Sequence, residues 1–246
     1  MTSREGHPVE PLSREGHPVE PPSREGHPVE PLSREGHRGE PSSREGHLVE
    51  LVDHTGRALG KTTVSAAHQP PGQLHRAFSV LLTDAAGRVL LQRRAEVKTR
   101  FPLRWANSCC GHPEPGEAPA TAANRRLGEE LGVGPVDLTE VGVYVYYAED
   151  PVTGRVEYEY DHVLRGELPA DAPVRPDPAE VAELRWANPA AVAADLAADP
   201  QPYAPWLGGV LDRLLRPTAQ HGPAADHAPA RSAGETDDGV EPSGGR

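Results

Sequence analysis

WANSCCGHPEPGEAPATAANRRLGEELGV, residues 105–133, changes character halfway along. Its first half is rich in glycine and proline, which resist regular structure. Its second half has helix-forming composition from 118 to 131, with Pro119 tolerated in the first turn and Gly132 as a C-terminal stop. Arg125–Glu129 and Arg126–Glu130 stand at the i,i+4 spacing of ordinary helical ion pairs. Ahead of the helix lie the only two cysteines of the chain, side by side. Adjacent Cα atoms are about 3.8 Å apart, below the roughly 4.4–6.8 Å of a disulfide, so Cys109 and Cys110 read as free thiols of a reducing compartment. If this segment is extended, alternation puts Cys110 and His112 on one face and Cys109 on the other.

Working outward, LVELVDHTGRALG (48–60) reads as strand, turn and strand. AFSVLLTD and RVLLQRR flank the turn at Ala85–Gly87 and give a hairpin signal. VGVYVYYAED and RVEYEYDHVL are β-rich and joined by a loop at 151–154, and 188–199 and 203–216 have helical composition. Strands mixed with a few helices define an α/β (α+β) sandwich.

Three segments follow from composition: 1–47, 48–216 and 217–246. Residues 3–47 hold five near-copies of a decapeptide beginning Ser-Arg-Glu-Gly-His. With at most two valines or leucines per unit, and proline and glycine throughout, this segment cannot bury a core and is expected to be disordered. The tail from 217 to 246 reads the same way. The core carries 17 basic and 23 acidic residues, a net charge of −6 that argues against non-specific nucleic-acid binding. An anionic ligand would then need local basic residues and metal ions. No apolar run reaches the roughly 20 residues of a membrane span, and the N-terminus lacks the apolar core of a signal peptide. A cytoplasmic protein without membrane or nucleic-acid partners is expected, with a monomer favoured.

The pattern Gly111, five residues, Glu117, seven residues, then Arg125-Arg126-Leu127-Gly128-Glu129-Glu130-Leu131-Gly132-Val133 resembles the Nudix box, with Arg126 where that box carries a glutamate. A guanidinium there weakens a metal-binding carboxylate cluster and adds a phosphate-binding fork. Asn107-Ser108-Cys109-Cys110-Gly111-His112-Pro113 resembles the cysteine segment of the type 1 isopentenyl-diphosphate isomerases, a Nudix branch with a degenerate box. The resemblance spans about 48–210 and implies a Nudix-like mixed sheet between helices. It implies Cys110 as catalytic thiol, with Cys109 at a variable position as a small buried filler.

The resemblance further implies one divalent ion, Mn²⁺, Zn²⁺ or Mg²⁺, held by His68, His75, His112, Glu157 and Glu159, the last also catalytic. Pro70-Pro71-Gly72 excludes helical spacing of His68 and His75, so a loop must join them, while strand alternation puts Glu157 and Glu159 on one face. Arg94, Lys98 and Arg126 are expected on a substrate diphosphate, whose Mg²⁺ Glu130 helps to hold. Arg93 and Arg100 read as a solvated strand edge. Tyr146, with Tyr147 as its neighbour and rival, is expected to assist proton transfer, and Trp206 to face a carbocation. Trp105, Trp186, His54 and His162 read as structural or ordinary.

The implied reaction interconverts isopentenyl and dimethylallyl diphosphate through a tertiary carbocation, with Cys110 and Glu159 flanking the substrate. Two other readings remain at this stage. A Nudix hydrolase of a nucleoside or prenyl diphosphate explains the box but not Cys110, the histidines or Arg126. A non-enzymatic reading makes the repeats, with His7, His17, His27, His37 and His47, a metal- or partner-binding tract on an inert core.

Overall fold

A computed structural model describes residues 44–216. The repeats before Arg44 and the tail after Arg216, both expected to be disordered, lie outside the described residues.

Nine strands form one mixed sheet. β1 (Leu48–Val52) and β2 (Ala58–Thr63) make the first hairpin, and a four-residue helix, α1 (Val64–Ala67), follows with Thr63 as its N-cap. β3 (His75–Thr83) is the spine. It pairs in parallel with β8 (Val156–Glu167), from His75↔Glu159 to Thr83↔Glu167. On another stretch it meets β6 (Cys109–Gly111), with Ser79↔Cys110.

The AFSVLLTD–RVLLQRR hairpin is closed only at its base: β3 and β4 (Val89–Arg94) share the single pair Thr83↔Val89. Beyond it they diverge, because their partners come from distant sequence. β6 pairs with β3, while β4 takes β5 (Trp105–Ala106) and β9 (Val181–Ala187). β7 (Thr139–Glu149) completes the sheet as the antiparallel partner of β8.

Alternation along β3 explains the two layers. Phe78, Val80 and Leu82 face one way and pack with Ala122, Ala123, Leu127 and Leu131 of α2 (Pro119–Leu131). Leu81 faces the other way, toward a core holding Val192 of α3 (Pro189–Ala198) and Leu207, Val210 and Leu211 of α4 (Leu207–Leu215). Helices thus cover both faces of the sheet, as a strand apolar on both sides requires. α2 starts at Pro119 and ends where Gly132 turns left-handed at φ 62°. Among the described residues no helix is long and apolar enough to cross a membrane.

Residues Arg44–Gly46 form a single 3-10 turn, closed by the His47 N–H on the Arg44 carbonyl at 3.0 Å. Non-local ion pairs from Arg44 and Glu45 hold it to the fold, and local composition does not reveal these.

Candidate active site and metal centre

His68 ends α1 and His75 opens β3, and the Gln69–Leu74 loop brings their rings to 4.7 Å between centroids. Gly72 in that loop has φ 81°, and a Cβ there would meet Val156 Cγ1 at 2.6 Å, so the turn requires glycine. His112 follows β6, and its ring centroid lies 5.1 Å from that of His68 and 4.8 Å from that of His75. Glu159 reaches them from β8: its Oε1 lies 2.9 Å from His112 Nε2, 3.7 Å from His75 Nε2 and 3.8 Å from His68 Nε2. Ligand atoms of these four residues all lie within 4.8 Å of one another.

This donor set fits a divalent ion. The Nδ1 atoms of His68 and His75 each lie 2.7 Å from a backbone carbonyl, of Val64 and Gln73 respectively. A carbonyl only accepts, so Nδ1 carries the hydrogen in both, and it is Nε2 that turns inward, with a free lone pair whenever the ring is neutral. His75 Nε2 is buried without a hydrogen-bond partner among the described residues, an orphaned acceptor that an ion would satisfy. Burial, with the charges of His112 and His68, pushes His75 down to about 3, so it keeps that lone pair at neutral pH. Burial also lowers His112, only partly opposed by Glu159. Burial would lower His68 too, but Glu157 and Glu159 more than offset it and hold its pKa at about 9. Glu157 is adjacent to the four rather than within them: its Oε2 is 2.9 Å from His68 Nε2 and its Oε1 accepts from Arg100 Nε at 3.0 Å.

The other expected residues gather beside this centre. A cavity of about 310 Å³ is lined by Cys110, His112, Tyr146, Glu157, Glu159 and Trp206. Arg94, Lys98 and Arg126 line the same cavity. Cys110 takes a hydrogen bond from Arg94 Nη1 at 3.7 Å, and burial raises its thiol to about 12 although Arg94 opposes this. Cys109 points the other way, fully buried in the α2 core, as alternation along β6 demands. The Tyr146 hydroxyl donates to Glu159 Oε2 at 2.7 Å, whereas Tyr147 is 54% exposed and packs on Tyr158. Burial would raise Glu159, but the hydrogen bonds from His112 and His68 prevail and hold its carboxyl well below the usual range. Trp206, at the start of α4, donates its indole N–H to Asn107 Oδ1 at 3.0 Å and has Arg94 5.4 Å above its ring.

Glu130 is not brought to the histidines. It is buried behind Arg126, which bonds it, and accepts from Gln92 Nε2 at 3.4 Å. Arg126 also holds Glu129, at 2.8 Å, and Glu180, at 3.1 Å. The guanidinium in the box therefore engages both of its last glutamates. Lys98 pairs with Glu180 as well. Lys98 and Arg126 more than offset the burial of Glu180 and hold its pKa at about 2.

Arg100 is not a solvated strand edge. Its side chain is 12% exposed and joins Glu157 to Glu45. The loop that carries it turns through left-handed backbone at Phe101 (φ 46°) and Leu103 (φ 58°), pinned by the Phe101 N–H on Asp150 Oδ2 at 2.8 Å. Arg93 is 41% exposed beside Glu183. Trp105 and Trp186 lie half-buried under Arg185 and Arg88, and His162 sits between Arg76 and Glu140. Sequence reasoning missed Arg44, Glu45, Glu180 and Asp161. For Asp161 the available signal was its place two residues beyond Glu159 on an alternating strand. It is fully buried, and burial and the Glu159 charge push its pKa well up.

This fold and this box place the chain in the Nudix family, whose NUDIX domain model matches residues 73–207. The crystal structure of DR0079 from Deinococcus radiodurans has the same fold, with a TM-score of 0.57 at 20% identity, covering 69% of this chain and 100% of that one. Within the Nudix family the chain belongs to the isopentenyl-diphosphate Delta-isomerases. It is 65% identical over 164 residues to the enzyme of that name from Nocardia farcinica, covering 67% of this chain and 92% of that one. It is 48% identical over 180 residues to that of Streptomyces avermitilis, with 72% and 89% covered. The corresponding Halorhodospira halophila protein is 44% identical over 180 residues, with 73% and 97% covered.

Proposed function

We propose that this chain interconverts isopentenyl diphosphate and dimethylallyl diphosphate by adding and removing protons through a tertiary carbocation. What supports this reading is that Cys110 and Glu159 both line the cavity and come from β6 and β8, on either side of β3. An unactivated alkene is a poor base, so a proton must come from a well-placed acid, and a second group must take one from the adjacent methylene. Cys110 and Glu159 are those two groups. Tyr146 assists by holding Glu159 through its hydroxyl. The face of Trp206 stabilises the cation, and with Tyr146 it shields the cation from water that would trap it.

Arg94, Lys98 and Arg126 hold the diphosphate, and Glu130 helps to hold its Mg²⁺. His68, His75, His112 and Glu159, with Glu157 beside them, hold a second divalent ion. An ion bound there supplies the positive charge that fixes the protonation of Glu159. Mn²⁺, Zn²⁺ and Mg²⁺ are the candidates. We assign the enzyme to the cytoplasm, where unpaired thiols persist, as a monomer.

The test is incubation with isopentenyl diphosphate and Mg²⁺ in deuterated water, followed by NMR. Deuterated dimethylallyl diphosphate, lost in Cys110→Ala, is the expected product. Release of inorganic phosphate without an allylic product would overturn the proposal.

A further inference from the structure

Arg44 and Glu45 belong to the last copy of the repeated pentapeptide Ser-Arg-Glu-Gly-His, and Arg44, Glu45 and His47 all line the cavity. Glu45 is the more firmly held. Its Oε1 accepts from Arg100 Nη1 at 2.8 Å and Thr99 Oγ1 at 2.9 Å, and its Oε2 from Arg155 Nη1 at 3.3 Å. Arg100 in turn grips Glu157, which lies 2.9 Å from His68, so Arg100 and Glu157 link this turn to the histidine cluster. The His47 carbonyl accepts from Val64 N–H at 2.8 Å, tying the turn to α1.

Arg44 then reaches the same carboxylate oxygens as Arg126. Its Nη2 lies 2.6 Å from Glu129 Oε2, which Arg126 Nη1 holds at 2.8 Å. Its Nε lies 3.7 Å from Glu180 Oε1, which Arg126 Nη2 holds at 3.1 Å. Lys98 takes the other oxygen of Glu180. Arg125 Nη1 lies 3.8 Å from Glu129 Oε1, so four cations from three separate segments converge on one acidic pair at the cavity wall. An anion that draws Lys98 and Arg126 away from Glu180 meets Arg44 in the same place.

We propose that Arg44–His47 is a strap that completes the anion end of the cavity, with Glu45 as its anchor and Arg44 as a further diphosphate-binding residue. This rests on the reading of Lys98 and Arg126 as diphosphate ligands. The four upstream copies, at 3–7, 13–17, 23–27 and 33–37, carry the same Arg-Glu-Gly-His sequence.

The experiment is calorimetric titration of metal-loaded, full-length protein with inorganic diphosphate and Mg²⁺, which needs no turnover. Arg44→Ala weakens binding about tenfold, the lower end of what a charge-assisted contact contributes. Arg44→Lys recovers part of the loss, and Arg34→Ala binds like the parent. A variant with alanine at Arg4, Arg14, Arg24, Arg34 and Arg44 removes the arginine from every copy of the pentapeptide. If it binds diphosphate as tightly as the parent while Lys98→Ala does not, the strap is wrong and the diphosphate reading stands. If Lys98→Ala also binds like the parent, the diphosphate reading fails and the strap with it.

Discussion

Replacing Trp206 separates a structural role from a chemical one. Its indole N–H is bonded to Asn107 Oδ1, and both residues are buried, at 2% and 0% exposure. Trp206→Phe leaves that oxygen without its donor, which costs about 1–3 kcal/mol. For a fold of this size each kcal/mol lowers Tm by about 2–4 °C. Phenylalanine keeps a π face beside Phe101 and Tyr146, whose rings lie 5.4 and 5.9 Å from that of Trp206. Trp206→Leu breaks the same hydrogen bond and removes the face as well. A desolvated cation–π contact is worth about 2 kcal/mol, which converts to about 30-fold in rate. Thermal unfolding therefore finds the two variants similarly destabilised, while turnover in the deuterium assay is about 30-fold lower for leucine than for phenylalanine. Equal turnover in the two would refute the catalytic role and leave Trp206 as a bonded core residue.

Cys110→Ala abolishes deuterium incorporation, whereas Cys109→Ala lowers Tm by opening a small hole in the α2 core and leaves turnover within a few-fold of the parent. Titration with Mn²⁺ or Zn²⁺ raises the Tm of the parent, and His75→Ala loses most of that rise, because one of four clustered ligands is gone. Glu180 has its pKa depressed from the ordinary 4.5 to about 2, so its contribution to stability is complete above pH 4.5 and is lost as pH falls toward 2. Glu180→Gln flattens that part of the acid-unfolding curve. In α4, Gly208→Ala meets nothing within 4 Å and stabilises by up to about 1 kcal/mol through helix propensity. Gly209→Ala drives a Cβ to 2.2 Å from Tyr144 Cζ, and the clash outweighs the same propensity gain, so Tm falls.

Much of this was legible where the signal is local. Pro119 and Gly132 bound the box helix because each acts on its own backbone. Alternation split Cys109 from Cys110 because β6 is extended. The widening of β3 from β4 was not legible: both strands are apolar enough to pair, and only partners from 105–111, 156–167 and 181–187 decide otherwise. β9 went unseen because VAELRWA leaves Ala182 and Glu183 exposed, so its composition carries no strand signal.

The hardest feature to read was the role of Arg44 and Glu45, for a reason that bears on the whole site. Composition says that residues 1–47 cannot bury a core, and for Arg44–Gly46 this holds: none of the three is buried. What holds them is charge supplied by Arg100, Glu129, Arg155 and Glu180, with a hydrogen bond from the Thr99 hydroxyl, none of these residues within 50 in sequence. Exposed ion pairs contribute little singly, and a network that shares carboxylates is the case in which they add up. The same carboxylates hold Lys98 and Arg126, so order in the strap and the charge of the anion site are set by one group of residues. Glu180 is the member on which both depend. Its removal is therefore expected to change diphosphate affinity and the docking of Arg44 together, while leaving the histidine cluster and Cys110 as they are.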